Sequence, residues 1–254
     1  MTDSDLAWHF LGNDGRMRYF PHTTITAGQT YTAEGALTLC KNGLHASVRA
    51  IDALKYARGS IICRVRLGTE RLTGEDKVCA RERTVLWMVY ADTTLHEFAC
   101  LVAEQAVAEA SAAGYAPDPR STEALTAKRA WLRRDLGDAA LVRAADAARA
   151  AAEATNRLGV RTAAWDAAWS AARAVTLTGA WCFPWEMALS VARSAANATC
   201  WLAGRGTMQV SQDDAGTSAL ADAETAAWRA RWASMGDDLE RMVLALAPPE
   251  RFAA

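Results

Sequence analysis

Up to Tyr90, apolar and polar residues alternate in short runs bounded by Gly, Asp and Asn. The runs are LAWHFLG from Leu6, MRYF from Met17, GLHAS from Gly43, SIICRVRL from Ser60 and KVCARERTVLWMVY from Lys77. Successive side chains of a strand point to opposite faces, so a period of two predicts strands. The turn-rich TITAGQTYTAEGALTLC, Thr24 to Cys40, joins them. In SIICRVRL, Ile61, Cys63, Val65 and Leu67 share one face while Ile62, Arg64 and Arg66 share the other. That predicts a core face and a wet, basic one. Between two strands, Val48 to Ala57 places Ile51 and Leu54 on one helical face, and Arg58-Gly59 closes the helix.

From about Leu95 the pattern changes. Long alanine-rich stretches without helix breakers follow, interrupted at GYAPDPR (Gly114 to Arg120) and at Gly204 to Gly216. Alanine has the highest helix propensity and lets backbones approach closely, so packed helices are expected. TAAWDAAW at Thr162 recurs as TAAWRARW at Thr225, and Trp181 with Trp185 repeats the four-residue spacing. Indoles so placed suit knobs between alanine-lined helices better than a stacking platform for bases. The expected architecture is α+β. An N-terminal mixed β-sheet domain with one short crossing helix spans 1–92, and a C-terminal Ala/Trp-rich helical bundle spans 93–254.

Composition narrows the function classes. Of 254 residues, 51% are hydrophobic, enough for a sizeable core. The formal net charge of −1 gives no global attraction to nucleic acid or an anionic membrane, although Lys55 to Arg83 holds eight Lys or Arg against four Asp or Glu. No apolar run reaches the length of a membrane-spanning helix. The six cysteines form no CxxC pair and the first residues, MTDSDLAWHF, lack the pattern of a signal peptide, so a reducing cytoplasm is expected. Cys40, His45, Cys63 and Cys79 match no zinc spacing, and no metal site is expected. The chain has neither GxSxG nor a P-loop, and Ser47 near His45 lacks an acidic partner in the sequence.

Two resemblances add to this. Gly28, Tyr31, Gly35, Cys40, Gly43-Leu44-His45-Ala46, Val65, Gly68 and Asp76-Lys77-Val78, with the AAWDAAW tail, resemble an uncharacterised domain common in bacteriophages and prophages. That resemblance implies a mobile-element origin and no particular reaction. Trp8-His9, the Gly43 to Ser47 strand with Ala53 and Tyr56, the Gly59 to Gly68 strand, and Glu82 before Thr84-Val85-Leu86 follow an order similar to ADP-ribosyltransferases of the poly-ADP-ribose polymerase type. This similarity implies NAD as cofactor, with Ser47 among the binding residues. His9 would bond the ribose, Tyr56 or His45 would sandwich the nicotinamide, and Glu82 would be the catalytic carboxylate. Such chemistry needs a carboxylate beside the oxocarbenium-like sugar left when nicotinamide departs. The sequence departs from that pattern twice: His45 stands at the aromatic position, and the glycine after His9 comes two residues late.

The sequence therefore favours a phage- or prophage-type accessory protein that binds a host or phage protein in the host cytoplasm. Self-association through the Ala/Trp-rich helices fits the same pattern, nucleic acid fits it less well, and no membrane contact is expected. No cofactor is required by that reading. NAD-dependent mono-ADP-ribosyl transfer, or NAD binding, by the N-terminal domain is the alternative.

Overall fold

The structure, a computed structural model, describes residues 5–17, 23–154, 160–173, 183–208 and 214–248. These form an α+β protein with strands before Tyr90 and helices after it. Two compact units emerge, one of residues 1–94 with 236–254 and one of residues 95–235. The return of the C-terminal segment to the first unit is absent from a simple split near residue 92.

In the first unit, β1 (Leu6–Leu11), β4 (Ile61–Leu67), β7 (Glu82–Tyr90) and β2 (Thr30–Thr32) form a four-stranded sheet in the order β1-β4-β7-β2. A smaller sheet has the order β3-β6-β5, from β3 (Leu44–Ala46), β5 (Arg71–Thr73) and β6 (Val78–Ala80). Every described ladder is antiparallel, a narrower result than the mixed sheet expected. The reason lies in α1 (Ala50–Leu54), which leads from β3 in one sheet to β4 in the other and so creates no parallel pair.

Ala7, Leu11, Cys63, Val65, Leu67 and Val85 of the large sheet pack with Leu44, Ala46, Val78 and Ala80 of the small one. The other face of β4 is less wet than the alternation suggested: Ile62 is fully buried there. Arg64 lies 4.3 Å over the Trp8 ring, and Trp8 meets Trp87 edge-on at 5.8 Å. Trp87 reaches that face because Leu86 is an extra residue in β7: Arg64 pairs with Trp87, but Val65 pairs with Val85. The bulge leaves Arg83 and Val85 in phase with the inter-sheet core.

Helix α1 has no side-chain cap of its own at Arg49. Glu240, from the C-terminal part of α7 (Asp214–Leu244), accepts the Ala50 N–H at 3.0 Å and pairs with Arg49 Nε at 2.8 Å. Distant sequence thus supplies the carboxylate that a helix N-terminus favours.

The second unit holds most of α2 (Asp92–Ala112), α3 (Pro119–Leu132), α4 (Asp138–Ala154), α5 (Val160–Ala172) and α6 (Pro184–Met208). Asp118 caps α3 through the Arg120 N–H at 3.0 Å, with Pro119 opening the helix, as GYAPDPR suggested. Helix α6 runs through Gly204 and Gly206 to Met208, where a loop was expected; 209–213 lie outside the described residues. Alanines 164, 167, 168, 171, 188, 192, 195 and 196 are fully buried, which lets α5 and α6 pack closely enough for Ser170 and Ser190 to hydrogen-bond at 3.2 Å. Trp165, Trp185 and Trp232 are buried, while Trp201 is half exposed; Trp181 lies outside the described residues. Among the described residues no helix is long and apolar enough to cross a membrane.

Candidate functional site: a basic cleft in the N-terminal unit

A cleft of about 720 Å³ opens in the first unit, and its lining includes His9, His45, Ser47 and Tyr56. Four of the five residues singled out in the sequence therefore converge. Glu82 is not in the lining. It is exposed at the start of β7, and its neighbour Arg83 takes the cleft-facing position. Adjacent strand residues point to opposite faces, so Glu82 is turned away from the cleft that the other four line.

His9 comes from β1 opposite Cys63 of β4, with Ala7 and Leu11 in phase on the core side. Burial holds its pKa well below the ordinary histidine value. Arg83 and His45 lower it further, and a hydrogen bond with the His45 backbone partly opposes them. His9 is thus a neutral ring at pH 7, with its one N–H engaged by the His45 backbone and the other ring nitrogen left as an acceptor.

His45 is occupied by its own loop. Its Nε2 accepts the Cys40 N–H at 3.0 Å, and its Nδ1 lies 3.1 Å from the Gly43 carbonyl. Because Nε2 accepts, Nδ1 carries the proton and donates to Gly43. Burial again lowers the pKa, and a proton on Nε2 would break the Cys40 contact. The clamp secures a turn in which Cys40 adopts φ +66° and Gly43 φ +121°. A side chain at Gly43 would collide with Cys79 Sγ, so glycine is required there.

Tyr56 follows α1 and is 43% exposed. Its hydroxyl lies 2.8 Å from both Asp76 carboxylate oxygens and accepts from Lys77 Nζ at 3.0 Å. The Lys77 ammonium also sits 4.4 Å from the ring centroid. Hydrogen bonds to Tyr56 and Cys40 raise the Lys77 pKa, so this cation stays charged at the cleft. Ser47 acts through its backbone: it exchanges two hydrogen bonds with Trp8, at 2.7 and 2.9 Å, tying β1 to β3.

Sequence reasoning missed Arg83. It is only 2% exposed, and Nη1 donates to the His45 carbonyl at 2.7 Å. Nε has no hydrogen-bond partner among the described residues. Burial pushes its pKa down to about 10, with Cys63 and Tyr31 as the opposing neighbours. A signal was present in ERTVLWMVY, where Arg83 is in phase with Val85 and so belongs to the buried face. Asn13 was also missed: its Oδ1 accepts the Ser60 N–H at 2.7 Å and fixes the Gly12–Asp14 loop beside the cleft. Gly59 permits that approach, since an added Cβ would lie 2.6 Å from Asn13 Oδ1.

The fold and cleft define an antiparallel two-sheet domain with a basic, histidine-lined pocket. Residues 6–97 match the model of a family described as a domain of unknown function (DUF7666), and that span contains every residue of the cleft. No curated protein and no solved structure matches the chain. Among the described residues no cluster of three or more His, Cys, Asp or Glu could hold a metal ion.

Proposed function

We propose that the N-terminal unit is a binding domain for a nucleotide-type ligand of the NAD class. The observation that carries this reading is the convergence of His9, His45, Ser47 and Tyr56 on one cleft. Tyr56 offers a ring for stacking, already fixed by Asp76 and Lys77, and neutral His9 offers a hydrogen bond to a ribose hydroxyl. A cleft of this size accepts a ligand of several rings. The reading is of binding alone, because Glu82, the carboxylate expected at the reacting sugar, is not in the lining.

The accessory-protein reading places function on the tryptophan-bearing helices. It has less support, since Trp165, Trp185 and Trp232 are all less than a tenth exposed, although Trp201 is half exposed. A phage or prophage origin remains compatible with either reading.

Calorimetric titration of the full chain with NAD and with ADP-ribose tests the proposal. Saturable one-to-one binding is expected. Tyr56→Ala is expected to weaken it about 10-fold, the scale of one aromatic stacking contact. No heat with either ligand, or equal affinity in the Tyr56→Ala protein, contradicts the reading.

A further inference from the structure

We propose that Arg83 forms the floor of an anion seat that takes phosphoryl groups, and that inorganic pyrophosphate alone suffices to fill it. The location rests on reading the same cleft as a nucleotide site, but recognition of a ring plays no part in it. The Arg83 guanidinium is almost wholly buried and meets a single neutral acceptor, the His45 carbonyl. No ion pair of it is found among the described residues, and Nε, closed off from solvent, has no hydrogen-bond partner there. A buried cation without a counter-charge is strongly unfavourable. His9, held neutral by the same burial, adds no second cation there, and a histidine cannot supply a counter-charge.

The surroundings point the same way. Arg16, Lys41, Arg58 and Lys77 also line the cleft, and the one carboxylate of the lining, Asp14, is engaged by the Arg16 N–H at 3.1 Å. Positive charge spread across the lining suits a group with several anionic oxygens better than a single carboxylate. A guanidinium fork matches two phosphoryl oxygens at once, which an ammonium cannot do.

Thermal unfolding and calorimetry of the full chain with inorganic pyrophosphate test this, with acetate at equal ionic strength as the comparison. At a hundred times its dissociation constant, pyrophosphate is expected to raise Tm by about 5–10 °C, and acetate to leave it nearly unchanged. Arg83→Met removes the buried charge, so its Tm without anion is expected to equal or exceed that of the wild type and to ignore pyrophosphate. Arg83→Lys keeps the charge without the fork and is expected to bind about 10-fold more weakly. A purely structural Arg83 gives the opposite pattern: a lower Tm for Arg83→Met, with pyrophosphate affinity unchanged in both variants. Arg83-dependent binding of pyrophosphate without binding of NAD or ADP-ribose sustains the seat and removes the nucleotide reading. NAD binding without an Arg83-dependent pyrophosphate response removes the seat alone.

Discussion

Histidines show most clearly how single residues acquire their roles from their surroundings. His45 has both ring nitrogens engaged by the Cys40–Gly43 turn, so its contribution is to hold the cleft wall and not to move protons. His96, in the helical unit, is buried beside Trp131, at 5.4 Å edge-on, and shares that environment with Lys128. Burial, then the Lys128 charge, push the His96 pKa down to about 3. A histidine whose folded pKa lies below its unfolded value near 6.5 favours the folded state above that value. The contribution is lost as pH falls from there toward 3. Between pH 7 and 5 the helical unit should therefore lose about 2 kcal/mol through His96. Urea denaturation of wild type and His96→Gln at both pH values checks this. The wild type should weaken by that much more than the variant, and equal losses would show that His96 does not drive the effect. That His45 and Tyr56 line one cleft follows from the strand–helix order in which they fall, which the sequence pattern displays. Arg83 escaped notice because the acidic residue beside it matched an expected chemistry.

Elements carry the next layer. The strands and helices follow from local pattern: alternation in SIICRVRL, the Asp118-Pro119 start of α3, and alanine-rich runs between breaks. The bulge at Leu86 and the Glu240 contact to α1 do not. A bulge changes which face a residue reaches without changing composition, and Glu240 lies far along the chain from the helix it caps. Helix α1 has five residues and positions Tyr56 just beyond its end, so its stability bears on the cleft. Glu240→Ala removes the acceptor of the Ala50 N–H and the partner of Arg49. The expected cost is about 1–2 kcal/mol, the range for loss of a helix cap, with weakened ligand binding alongside. Denaturant midpoints together with NAD titration of this variant measure both. An unchanged midpoint would show that α1 stands without Glu240.

At the scale of the whole molecule, the two units divide the labour by composition. The alanine-rich unit buries Trp165, Trp185, Trp232 and many of its alanines in helix packing, while the β-rich unit concentrates polar, positively charged groups around an open cleft. The family match covers the second kind of sequence, 6–97, and leaves most of the helical region outside it. Legibility divided the same way. Alternation and helix propensity are local, so the α+β architecture could be read from the chain. The return of residues 236–254 to the first unit, and the charge balance of the cleft, depend on contacts between distant segments. The central claim is that the cleft in the first unit binds a phosphate-bearing nucleotide. Amide chemical-shift mapping of the full chain during titration with ADP-ribose tests it most directly. Shifts concentrated at His9, Asn13, Asn42, His45, Tyr56 and Lys77 are the expected result; an unchanged spectrum, or shifts confined to residues 95–235, would contradict it.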